Sequence, residues 1–222
     1  MIKKDELIEA VLDGIIDAND FYEKISNGFS INDSGIEGVL QTKITEAIYD
    51  ALSQNPDGSL NEEFIVMEYP FKEIFEQSGA KKVRGAIPQL VDGAKRVDIM
   101  IFDKKERPII PIEVKRNAAT VGFAKDAKRI LGVLKRSDTL SRGSVKYGLI
   151  CGFIFGKGNT RDECLKDIKL KKDQCIEYLH SEASIDVVDF FHHDDEPKSF
   201  EDPSWWVGGA VCVYLRRNDR NN

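Results

Sequence analysis

Leu7, Ile8, Val11, Leu12, Ile15 and Ile16 recur at helical spacing and predict a helix over residues 3–26. The polar break "SNGFSINDSG" follows, and a second helical pattern runs over about 34–53, with Asp33 or Ser34 as its N-cap. After "SQNPDGS" the period changes. "EEFIVMEYPF" reads as a strand, and 73–95 as a Gly-punctuated connection with a short helix at "FKEIFEQSG". "KRVDIMIFD" and "PIIPIEVKR" read as two strands joined by the polar turn "KKER". A helix over about 120–137, with Ile130, Leu131 and Leu134 on its apolar face, leads to "VKYGLICGFIFG", the most apolar strand and the expected centre of the sheet. A helix at 160–182 and strands at "IDVVDFF" and "GGAVCVYLR" complete the pattern. Strands alternating with helices after residue 60 indicate an α/β core. The expected organisation is a helical extension over 1–33, one α/β domain over 34–216 and a frayed tail over 217–222.

The strand rule exposes an anomaly in "RPIIPIEVKRN". Alternation places Ile110, Ile112 and Val114 on one face and Glu113 with Lys115 on the other. In the preceding strand Val97, Ile99 and Ile101 share one face, and Asp98 falls with Met100 and Phe102 on the other. Three charges thus arise from two apolar strands, and buried charges need partners. If the strands pair, Asp98 and Glu113 converge on a divalent cation. Oxygen donors suit Mg²⁺ or Mn²⁺. The Val114 carbonyl is a further possible ligand, and Lys115 lies near enough to orient a water or stabilise an oxyanion. The competing account is a structural ion pair between Glu113 and Lys115, or strand ends whose charges reach solvent.

Asp98, the fourteen residues after it, and then Glu113-Val114-Lys115 resemble the PD-(D/E)XK nuclease superfamily. The similarity spans roughly residues 35–155; Val97 stands where the superfamily pattern has proline. The resemblance implies a restriction-endonuclease-like three-layer fold, with a central mixed β-sheet flanked by helices and the N-terminal helices added. It implies a Mg²⁺- or Mn²⁺-dependent deoxyribonuclease, an endonuclease more than an exonuclease. A glutamate on the helix before the motif strands is also implied, and Glu37 and Glu46 are available. At about 100° per residue, Glu37 falls within about 40° of the apolar stripe of that helix and Glu46 points away. Glu37 is therefore the expected site residue, with Gln41 one turn on.

Charge changes the picture further. The net charge is -6, yet Lys115–Lys146 carries nine Lys/Arg against Asp126 and Asp138, while Glu182–Asp202 carries eight acids and one lysine. One electropositive face on an acidic body is expected. Arg116, Lys125, Lys128 and Arg129 are its candidate nucleic-acid contacts, DNA the expected partner, and a homodimer possible. A catalytically inactive module of the same fold, binding nucleic acid or a protein, is the alternative. "GKGN" at 156–159 lacks phosphate-loop spacing, which weakens a small-phosphate hydrolase. "FFHHDDEP" reads as strand and loop, because adjacent strand histidines face opposite ways, and "SWWVGG" as packing. The four cysteines form no CxxC pair. With no signal-peptide pattern and no apolar stretch of membrane length, a cytoplasmic location and no membrane partner are expected.

Overall fold

The computed structural model describes residues 2–53, 62–78, 95–138, 143–183, 190–199 and 204–216. Its sheet is built outward from two apolar strands. β3 (Pro108–Lys115) and β4 (Tyr147–Gly158) pair in parallel, from Ile112↔Leu149 to Lys115↔Gly152. A parallel pair needs a crossover, and α5 (Val121–Asp138) supplies it. β4 is buried along nearly its whole length, as the central strand of a covered sheet is. Its other edge pairs antiparallel with β7 (Trp205–Arg216). On the far side of β3 lie β2 (Arg96–Phe102) and then β1 (Phe64–Pro70), both antiparallel. β5 (Phe190–Asp194) and the two-residue β6 (Lys198–Ser199) pair with β7. The result is a mixed, open, seven-stranded sheet in the order β1-β2-β3-β4-β7-β5, with β6 on β7.

Helices cover both faces. α1 (Lys4–Ser26) and α3 (Glu37–Ser53) pack Leu7, Val11, Ile15, Leu40 and Ile44 against Ile99, Ile112, Val114 and Leu149. On the opposite face α4 (Phe71–Gln77), α5 and α6 (Arg161–Ala183) pack Phe71, Phe123, Ile130 and Cys164 against Met100, Ile150 and Val211. Residues 1–33, expected as an extension, thus contribute a helix to the layer that contains α3. None of the described helices is long and apolar enough to cross a membrane.

Three expectations are corrected. The second helix begins at Glu37, not near 34, because a short α2 (Ile31–Ser34) precedes it. Asp33 and Ser34, expected as its cap, lie inside α2 instead; α2 is capped by Ser30, whose side chain accepts the Asn32 N–H, and Gly35 (φ -66, ψ 156) then breaks the helical path. The strand expected at "IDVVDFF" is described as Phe190–Asp194, and 184–189 lie outside the described residues, as does the expected tail 217–222. Most of the connection expected at 73–95 also lies outside them.

The third correction concerns Asp98. Val97, not Asp98, joins Met100 and Phe102 in the cluster facing α5, while Ile99 and Ile101 belong to the other. Face alternation is therefore interrupted at Asp98. In the β1–β2 register Met67↔Ile99 and Tyr69↔Val97 are paired, and the step between them, Glu68 against Asp98, is not. Glu68 there has φ 54, a left-handed conformation that disturbs the ladder.

Candidate functional site

The ladder between β2 and β3 stops at Ile99↔Ile112. Beyond it Val97 and Arg96 remain paired to β1, while Glu113, Val114 and Lys115 pair with β4. The strands part, and the Val114 N–H loses a backbone acceptor. Asp98 replaces it: its Oδ2 accepts the Val114 N–H at 2.6 Å, and its Oδ1 accepts Gln41 Nε2 from α3 at 2.9 Å. The carboxylate is held at both oxygens in a setting only 8% exposed. Burial raises the Asp98 pKa, and the Val114 hydrogen bond opposes the rise.

Glu113 is the next group, 1% exposed. Burial, and then the negative charge of Asp98, push its pKa up to about 9, although Arg129 opposes the shift. A hydrogen bond joins the two carboxyls, which favours the charged form of Asp98 and the protonated form of Glu113. The two groups therefore titrate as a coupled pair. Glu113 Oε1 is buried without a hydrogen-bond partner, and so is Arg129 Nε, which faces it at 3.4 Å. That distance is an ion pair, but the alignment is not a hydrogen bond.

Lys115 completes the row. Its Nζ lies 2.8 Å from Asp126 Oδ2 and 3.4 Å from Glu37 Oε1. Burial acts against its charge, but the hydrogen bond and charge of Asp126, then Glu37 and Asp98, outweigh it and raise its pKa to about 12. Glu37 also accepts the Arg116 N–H at 3.3 Å. Arg116 turns its guanidinium to the Gly35 carbonyl at 2.7 Å, tying the α2–α3 link to the end of β3.

Glu37, Gln41, Asp98, Glu113, Val114 and Lys115 thus meet where β2 and β3 separate. Val114 contributes its N–H to Asp98. Glu46 lies apart, paired with Lys43 at the surface. Of the cations expected to contact nucleic acid, Lys125 is exposed and Lys128 half-buried, but Arg129 turns inward, to Asp126 as well as Glu113. Asp126 is the residue that sequence reasoning missed. It falls between Phe123 and Ile130 on the buried stripe of α5, so the wheel count that selects Glu37 selects it too.

No group of three or more His, Cys, Asp or Glu side chains arranged for a metal occurs among the described residues. Asp98 and Glu113 nevertheless present two carboxylates side by side, and a hard cation is commonly held by one or two carboxylates with water and substrate oxygens. The orphaned Oε1 of Glu113 is an available oxygen donor in that pair. Comparison with family models, curated proteins and solved structures finds no match to this chain.

Proposed function

We propose that this protein is a metal-dependent nuclease that hydrolyses DNA phosphodiester bonds, with a restriction-endonuclease-like fold of the PD-(D/E)XK kind. The observation that carries the reading is the buried Asp98–Glu113 pair at the parting of β2 and β3, with Lys115 on the same strand as Glu113. Two adjoining acids in an apolar setting cannot both ionise without added positive charge. A divalent cation supplies that charge, and the resemblance in the sequence names Mg²⁺ or Mn²⁺.

Asp98 and Glu113 would hold the ion, which supplies polarisation of the phosphoryl oxygen and acidification of a bound water. The remaining work falls to the protein. Gln41 and the Val114 N–H fix the orientation of Asp98. Lys115, with a pKa near 12, stays protonated through the physiological range, so it stabilises developing negative charge on phosphorus and orients water as a donor. Glu37 and Asp126 hold its ammonium from two sides.

One observation favours the alternative of an inactive module. Lys115 and Arg129 already compensate the acids, so the network is neutralised in part without any added ion. Cleavage assays separate the two. Circular and linear DNA, single- and double-stranded, are incubated with Mg²⁺ or Mn²⁺ and with EDTA. Metal-dependent cleavage is expected from the wild type and its loss from Asp98→Ala and Lys115→Ala. No cleavage of any DNA form with either metal, together with salt-sensitive and metal-indifferent binding, would select the inactive module.

A further inference from the structure

Arg129 is placed unlike a phosphate-binding surface arginine. Its side chain is 17% exposed, and its guanidinium reaches Asp126 through Nη2 and approaches Glu113 Oε1 to 3.4 Å through Nε. It comes from α5, a different element from either carboxylate strand. Yet its contact with Glu113 is incomplete, since both facing atoms are buried and neither has a hydrogen-bond partner. Buried polar atoms left unbonded are costly. The guanidinium therefore offsets the charge of the Asp98–Glu113 pair without satisfying the lone pairs of Glu113 Oε1. A counter-ion behaves this way when it stands in a place suited to another group.

We propose that Arg129 is a resident counter-cation, which offsets the negative charge of the Asp98–Glu113 pair in the metal-free protein and is displaced from Glu113 Oε1 when a divalent ion enters. This rests on the reading of Asp98 and Glu113 as a cation site. Guanidinium and metal compete for the same oxygen, so the free energy of the Arg129–Glu113 contact is subtracted from that of metal binding. Displacement also changes what Arg129 can do. It lies one helical turn beyond the exposed Lys125, and a freed guanidinium there is suited to bidentate contact with a phosphate of the substrate. Metal loading would then expose a substrate contact that the metal-free protein conceals.

The test is the affinity of the full chain for Mn²⁺, read from the signal of free Mn²⁺ by electron paramagnetic resonance. Arg129→Met is expected to bind about tenfold tighter than wild type, the scale of one charge-assisted contact. Arg129→Lys is expected to lie between them, and it carries the comparison if Arg129→Met does not fold. Lys135→Met, which removes an exposed cation from the same helix, is expected to stay within about twofold, separating local competition from general charge. In ¹H–¹⁵N spectra the Arg129 Nε–H resonance should move on addition of Mg²⁺. Equal or weaker Mn²⁺ binding by the Arg129 variants, or an unmoved Nε–H at saturating Mg²⁺, overturns the displacement while leaving the cation site standing. If neither wild type nor the Arg129 variants bind Mn²⁺, the cation site falls as well.

Discussion

Glu113 is a carboxyl group withdrawn from water next to a second carboxyl, and its energetics can be measured without reference to catalysis. With its pKa at about 9 in the folded chain against the ordinary 4.5, the folded protein binds more protons than the unfolded one between those values. Stability then falls as pH rises through that window, since proton uptake favours the folded state. The Asp98 shift, also upward, has the same sign. Glu113→Gln removes the titration while keeping a donor for Asp98. In EDTA at pH 7 it is expected to raise stability by about 2 kcal/mol and to flatten the dependence between about pH 5 and 9. Denaturant melts at several pH values provide the measurement. A variant less stable than wild type at pH 7 would mean that Glu113 is ionised and satisfied in the native state. This residue was legible in the sequence because strand alternation put it on a face with Lys115. Asp126 is equally marked by the helical wheel of α5, but it lies within a run of cations whose sum masks it.

α3 carries Glu37 and Gln41, and its position is set by how closely α1 can approach it. Gly14 makes the approach possible: a Cβ there would stand 2.7 Å from Ile44 Cα and 3.0 Å from the Lys43 carbonyl oxygen. Both are backbone atoms and cannot swing aside. Gly14→Ala gains about 1 kcal/mol of helix propensity, yet the helices must separate. A net loss of about 1–3 kcal/mol is expected, in thermal or denaturant unfolding. Because α3 moves outward, Gln41 should also release Asp98, visible as a shift of the Gln41 side-chain amide resonances. A stabilised variant with those resonances in place would show that the crossing can relax. The helices and β2–β3 were readable from their periods, which reflect burial on one face. The orientation of Asp98 was not, because it depends on where the β2–β3 ladder ends and on Glu68 at φ 54 in another strand. The start of α3 departs from the apolar spacing for a similar reason: α2 and the extended Gly35 are local choices that this spacing does not encode.

Across the whole molecule, the basic run over 115–146 looked like one electropositive track, but folding divides it. Lys115 and Arg129 turn inward to carboxylates, Arg116 is held by the Gly35 carbonyl, and Arg136 lies over the Phe75 ring. Lys125 and Lys135 remain exposed on α5, and Lys128 is half-buried there. The sequence sum of charge therefore overstates what metal-free protein offers to a polyanion. If DNA lies along the first half of α5, beside the carboxyl pair, Lys125 and Lys128 carry its phosphate contacts, and each contributes about one unit to the slope of log affinity against log salt. Lys125→Ala with Lys128→Ala is expected to weaken DNA binding and reduce that slope by about two. Removing two exposed cations of α6, Lys166 and Lys169, should leave the slope within about half a unit of wild type. Fluorescence anisotropy over a range of KCl, in EDTA so that nothing is cleaved, reads both. An unchanged slope for the α5 pair would place the nucleic acid elsewhere. Equal loss from both pairs would mean that the polyanion responds to net charge alone, which at -6 gives the acidic body little hold without a localised track.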